Sequence, residues 1–131
     1  MKITARSTLE TVAIAVGDAL AENGIRAVLT GGACAGIYSG RLNSSQDVGF
    51  VLEGRVAPSS LDAAMATLGF SRQGSCYVHP ESPLWVEFPR GPLAVGADLD
   101  LRPVPLRSAN PRTPALSPTD SCRDRLAAFF H

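Results

Sequence analysis

Two short stretches carry the residues that could do chemistry. The first is Thr30-Gly31-Gly32, and the second is Asp47-Val48-Gly49-Phe50. Alternate residues of a strand share a face, so an Asp-x-Asp places two carboxylates side by side. Such a pair suits Mg²⁺, which prefers oxygen ligands and shares its shell with substrate phosphates. In this chain the second acidic position is Gly49, which has no side chain to offer. Glycines after a strand let backbone approach a phosphate, and the N–H groups of a following helix start point at the anion. Gly31, Gly32 and Ala33 fit that description, although Gly-Gly is also an ordinary tight strand-to-helix turn.

Other carboxylates have to be weighed beside Asp47. Asp47 enters the apolar run Val48, Phe50, Val51, Leu52, and an acid there needs a partner or a metal to offset its desolvation. Arg41 is one such partner. Glu87 lies within Leu84-Trp85-Val86-Glu87-Phe88, either as a site carboxylate or as an edge residue facing water. Asp98 and Asp100 alternate with Leu99 and Leu101, the pattern of one solvated strand face first and of metal ligands second. His79 precedes Pro80 with no Ser or Cys placed as a nucleophile, and is assigned no catalytic role.

The elements that must position these groups alternate in type. Leu9, Val12, Ala13, Val16, Ala19 and Leu20 recur at helical spacing over Ser7 to Ala21, and Asn23-Gly24 supplies the stop. Ile25 to Leu29 is a strand, Ala33 to Tyr38 a short helix, and Ser39 to Gln46 a polar loop. Asp47 to Glu53 is the next strand. A helix capped by Ser59 or Ser60 carries Leu61, Ala64, Met65 and Leu68 before Gly69. Phe70 to His79 reads as a strand interrupted at Gln73-Gly74, and Leu84 to Phe88 as another. Leu99 to Val104 is expected as a strand, followed by a Pro-rich connection from Pro111 to Pro114. Ser117-Pro118-Thr119-Asp120 opens a last helix, with Ser117 as N-cap, Pro118 at the first position and Asp120 at the positive end. The whole is an α/β (α+β) chain with a mixed sheet flanked by helices, in one domain over 1–131.

Composition narrows the function classes. The chain has 131 residues, 45% of them hydrophobic, enough for a core. Twelve basic residues balance twelve acidic ones, which leaves no electrostatic footprint for general nucleic-acid or membrane-surface binding. Cys34, Cys76 and Cys122 are dispersed, as reduced thiols are in a cytoplasm. No apolar run approaches the roughly 20 residues that span a bilayer. A soluble, cytoplasmic protein is the expectation.

Taken together, Thr30-Gly31-Gly32, the helix with Tyr38, then Arg41, Ser45 and Asp47-Val48-Gly49-Phe50 resemble the polymerase-beta-like nucleotidyltransferase superfamily. More narrowly the chain looks like small bacterial nucleotidyltransferase-like proteins of the abortive-infection and toxin–antitoxin type. In those, a segment similar to Leu116-Ser117-Pro118-Thr119-Asp120 through Arg123-Asp124-Arg125-Leu126-Ala127-Ala128 opens the C-terminal helices. The resemblance implies that Gly31 and Gly32 hold the phosphates of a nucleoside triphosphate, with Ala33, Arg41 and Ser45 completing the nucleotide-binding set. It implies Asp47 as the first Mg²⁺ ligand and Glu87 as the third carboxylate, so that both are catalytic and metal-binding. Gly49 stands where the second metal ligand belongs, and Phe129-Phe130-His131 ends the chain where relatives continue into more helix.

Two functions follow as expectations. One is a catalytically impaired, pseudoenzyme-like member of that fold, kept as a nucleotide-binding, partner-binding or antitoxin-like module. The other is an active Mg²⁺-dependent transferase that moves a nucleotide to a protein, RNA or small-molecule acceptor. A protein partner or a homodimer is compatible with either, the dimer by covering Phe129 and Phe130. A shortened gene product with no present role is the third alternative.

Overall fold

The computed structural model describes residues 2–40, 46–107 and 110–130. Arg41 and Ser45 lie outside the described residues, as do the side chains of Phe129 and Phe130. Among the described residues, four helices accompany a seven-stranded mixed sheet, and no helix is long and apolar enough to cross a membrane.

Helix α1 (Leu9–Glu22) starts where Thr8 Oγ1 accepts the N–H of Thr11 at 3.1 Å. It buries Leu9, Val12, Val16 and Leu20, the stripe that the spacing predicts. It ends as Gly24 turns left-handed at φ 71° and Ile25 N–H reaches back to Leu20 O at 2.9 Å. Strand β1 (Ala27–Thr30) then leads straight into α2 (Gly31–Ser39). This helix begins two residues earlier than the sequence suggests, because Gly31 at φ 73° turns the chain within a single residue. Strand β2 (Asp47–Leu52) returns antiparallel to β1.

Helix α3 (Pro58–Ala66) follows, with Ala57 as its uncapped N-cap in place of the expected Ser59 or Ser60. Proline needs no N–H partner at a first helical position, so Pro58 starts the helix and draws both serines into its first turn. The interrupted strand becomes a hairpin, β3 (Ser71–Gln73) and β4 (Cys76–His79), and β5 (Ser82–Glu87) pairs antiparallel with β4 and parallel with β2.

The expectations differ most from the structure after β5. No strand covers the start of Leu99 to Val104. Val95 and Asp98 form an isolated bridge, and Asp98 Oδ1 accepts the N–H of Asp100 at 2.9 Å, which curls the segment out of extension. Strand β6 (Val104–Arg107) starts only there. The Pro-rich stretch is itself a strand, β7 (Asn110–Ala115), antiparallel to β6. Its prolines are tolerated because β1 meets β7 in register only at Ala115, leaving little ladder for their missing N–H groups to interrupt. The sheet order is β3-β4-β5-β2-β1-β7-β6.

Helix α4 (Pro118–Phe130) opens as expected, with Ser117 Oγ accepting the N–H of Asp120 at 3.1 Å. The core forms where α1, α2 and α3 cover one sheet face. Leu29, Val48, Phe50, Val86 and Ala115 line that face, all under 2% exposed. Leu29, Val48, Phe50 and Val86 each contribute about 1.5–3 kcal/mol on burial, and the methyl of Ala115 less. Gly17 lets α1 lie directly on β7, since a Cβ there would stand 2.5 Å from Thr113 Oγ1.

Candidate functional site

Strand parity and register assign the site residues to the opposite face. Leu29 pairs with Phe50 and Val48 with Val86, so those four point into the core. Thr30 pairs with Gly49, Gly49 with Glu87, and Asp47 with Trp85, so these share the other face. Thr30, Asp47, Gly49, Val51 and Glu87 accordingly line one cleft of about 570 Å³. Gly31 and Gly32 lie at its rim, where α2 begins. Residues 89–94 fold over the same face, and Pro89, Arg90, Pro92 and Leu93 form the opposite wall.

Asp47 and Glu87 are thus brought to one cleft, two residues out of register and roughly 6–7 Å apart along the strand direction. Both are half-buried. Glu87 Oε1 accepts the Trp85 Nε1–H at 3.0 Å, a bond between same-face neighbours that turns its carboxylate along β5. β5 runs between β4 and β2, so Glu87 is not on an edge strand. Gly49 sits between Thr30 and Glu87, with its carbonyl accepting the Thr30 hydroxyl at 3.4 Å. A Cβ at position 49 would meet Thr30 Oγ1 at 3.6 Å, Pro89 Cγ at 3.9 Å and Thr30 O at 4.0 Å. Those are ordinary contacts, so the place of the second acid is physically open.

The start of α2 has no acidic residue in its first turn and no side-chain cap on its N–H groups. Ala33, expected among the nucleotide-binding residues, is fully buried beneath that turn and does not line the cleft.

Helix α4 adds two groups that the sequence reading did not assign to the site, Asp124 and Arg125. Their placement depends on how α4 is anchored to α2. Leu116 N–H donates to Leu29 O at 3.0 Å, and Leu116 O accepts the Tyr38 hydroxyl at 2.6 Å and the Cys34 thiol at 3.8 Å. Burial pushes the Cys34 thiol up to about 11 and also raises the Tyr38 hydroxyl, so both stay protonated as donors. Arg125 Nη2 then lies 2.9 Å from Asp124 Oδ2 and 3.9 Å from the point where a Cβ on Gly31 would stand. Arg125 also borders a second, more apolar cavity of about 770 Å³ between α2 and α4, which Ala35, Gly36 and Cys122 help to line. In the sequence, Arg123-Asp124-Arg125 reads only as part of a helical segment, and nothing local marks which of its charges faces the cleft.

The remaining candidates go elsewhere. Asp98 binds Arg123 Nη2 at 2.8 Å, and that guanidinium beside it holds its carboxyl below the usual range. Asp98 and Asp100 do not border the cleft. His79 has both ring nitrogens engaged, Nε2 with Leu68 O at 2.9 Å and Nδ1 with the N–H of Glu81 at 3.0 Å.

The donor set can be tested against a pair of Mg²⁺ ions. Such ions stand about 3.5–4 Å apart and need carboxylates that bridge them against their mutual repulsion. Here two carboxylates flank a glycine, and among the described residues no three His, Cys, Asp or Glu side chains gather to hold a metal. The residues present do not fit that pair. The cleft is instead of mixed charge, with Asp47, Glu87 and Asp124 facing Arg90 and Arg125. No family model, curated protein or solved structure matches the chain.

Proposed function

We propose that this chain is a nucleotidyltransferase-fold protein with an incomplete cation site, a nucleotide- or partner-binding module that transfers nucleotide weakly or not at all. One observation carries the reading. Position 49 lies level with both Thr30 and Glu87 on the cleft face, has room for a side chain, and is occupied by glycine.

The chemistry follows from that gap. Phosphoryl-type transfer depends on positioning and on neutralising charge as the attacking and leaving oxygens exchange. Losing even one neutral donor at such a site can lower the rate by about 10²–10³. Losing a charged bridging ligand removes more, and a water beside Gly49 cannot restore its charge. What remains supports binding. Gly31 and Gly32 open an uncapped helix start onto the cleft, and Arg125, paired with Asp124, stands beside them.

The competing reading is an active Mg²⁺-dependent transferase. It draws on Asp47 and Glu87 lining the same cleft. Titration calorimetry with ATP and GTP, with and without Mg²⁺, paired with a pyrophosphate-release assay, separates the two. The module reading expects no pyrophosphate from the parent chain and new Mg²⁺-dependent nucleotide binding in a Gly49→Asp variant. Pyrophosphate release by the parent decides for the transferase. Absence of nucleotide binding in both proteins leaves the partner-binding half of the proposal alone.

A further inference from the structure

We propose that the apolar cavity between α2 and α4 is a binding site in its own right, for a flat, largely apolar aromatic molecule that carries one N–H or O–H donor. The inference goes beyond the proposed function, because this site lies beside the cleft and needs neither a phosphate nor a cation.

The walls explain why the space exists. Helix α2 contributes Gly32, Ala35 and Gly36, and α4 contributes Pro118, Ser121 and Cys122. In each helix these positions lie three and four residues apart, so they share one side. None of these side chains is long enough to close the gap. The helices are also held in place by Leu116, whose N–H donates to Leu29 O at 3.0 Å and whose carbonyl accepts the Tyr38 hydroxyl at 2.6 Å. The resulting volume of about 770 Å³ is that of a small-molecule site.

Ser121 supplies the observation that points to a ligand. The residue is 2% exposed, and among the described residues its Oγ is buried without a hydrogen-bond partner. Its polar neighbour is Cys34, whose thiol stays protonated, donates to Leu116 O and offers its sulfur only as a weak acceptor. A buried hydroxyl in that state is unfavourable, and a donor arriving in the cavity removes the penalty. Ser121 borders the cavity, and its hydroxyl turns about a single bond to meet such a donor.

Two planar groups set the rest of the ligand's chemistry. Tyr38 and Arg125 are the large side chains of the wall. The Tyr38 hydroxyl is fixed on Leu116 O, and Asp124 takes one nitrogen of the Arg125 guanidinium. Both bonds engage the edge of a plane and not its faces, and such faces stack on an aromatic ring. Gly32 and Arg125 border the cleft as well, so an occupant lies against two residues of the cleft wall.

The experiment uses the full chain and two probes of the same shape, indole with its N–H and benzofuran without one. Cys122 lines the cavity, so its labelling by iodoacetamide reports occupancy, and Cys76, which borders neither cavity nor cleft, is the internal control. Indole is expected to slow labelling of Cys122 and leave Cys76 unchanged. Benzofuran should need about three- to tenfold higher concentration for the same protection, since it lacks the donor. Ser121→Ala should erase that difference between the probes, and Ala35→Leu should remove protection by both. Thermal melts report the fold, and Ser121→Ala, which deletes an unpartnered hydroxyl, keeps the test decisive if the leucine variant is destabilised. Labelling of Cys122 that neither probe slows up to its solubility overturns the site. Equal protection by both probes in the parent, or a difference that persists in Ser121→Ala, overturns the role of that hydroxyl, and protection unchanged in a folded Ala35→Leu places the probes elsewhere and overturns the cavity.

Discussion

Gly49 lies level with Glu87 across neighbouring parallel strands, on the face that opens into the cleft. The relationship joins two levels of the molecule. Register makes position 49 the natural partner of the Glu87 carboxylate, and the side chain that would use that position is missing. Its backbone is not left-handed and the added Cβ meets only ordinary contacts, so the glycine is not required by packing.

At Gly31 the opposite holds. Its φ of 73° is the left-handed conformation that makes the strand-to-helix turn. Gly31→Ala is expected to destabilise the fold by about 1–2 kcal/mol from backbone strain alone, since a methyl group there has room. Urea unfolding of parent and variant measures this, and an unchanged midpoint would show that the turn tolerates a side chain.

Gly17 and Thr113 form a tight crossing of α1 on β7. Gly17→Ala is expected to cost about 1–3 kcal/mol through overpacking, because its Cβ would lie 2.5 Å from Thr113 Oγ1. Thr113→Ala should relieve much of that cost in the double variant, giving a favourable coupling in a mutant cycle. Independent, additive effects on the melting temperature would contradict this packing. Thr113 Oγ1 is buried without a hydrogen-bond partner among the described residues, so Thr113→Val alone should raise stability by about 1 kcal/mol.

Cys34 makes stability fall at alkaline pH. Burial raises its thiol from an ordinary 9.0 to about 11, so the folded chain holds this proton more tightly than the unfolded one. The stabilisation is complete below pH 9.0 and is lost as pH rises through about 11. Denaturation midpoints measured across that window should decline, and Cys34→Ala should flatten the decline. In the native protein a thiol reagent should label exposed Cys122 and spare Cys34 until unfolding. Rapid labelling of Cys34 at neutral pH would refute its burial.

The sequence exposed some of this fold and concealed other parts for identifiable reasons. The Asn23-Gly24 stop and the Ser117 cap are local signals, read from residues that satisfy their own backbone, and the structure uses both. The mixed sheet likewise follows from alternation of helical and strand periods. Pro111 to Pro114 misleads because proline argues against a strand unless the neighbouring ladder is short, and that ladder is set by β1, more than eighty residues earlier. Leu99 to Val104 misleads because its alternation is overridden by a local bond, in which Asp98 Oδ1 accepts the N–H of Asp100, while Arg123 of α4 holds the other Asp98 oxygen. For the site, Asp47 and Glu87 stand out as acids inside apolar runs, but their shared face depends on a parallel register that no single segment encodes. Arg125 was invisible because only the anchoring of Leu116 against Leu29, Cys34 and Tyr38 turns that helix position toward Gly31.

The most direct test of the central claim is pyrophosphate release and calorimetric binding of ATP with Mg²⁺, measured on the parent and on Gly49→Asp. The expected result is no release from the parent, an intact fold in the variant, and Mg²⁺-dependent ATP binding that appears only with the added carboxylate. Release of pyrophosphate by the parent would contradict it, and a folded Gly49→Asp that gains no Mg²⁺ dependence would remove its nucleotide-binding half.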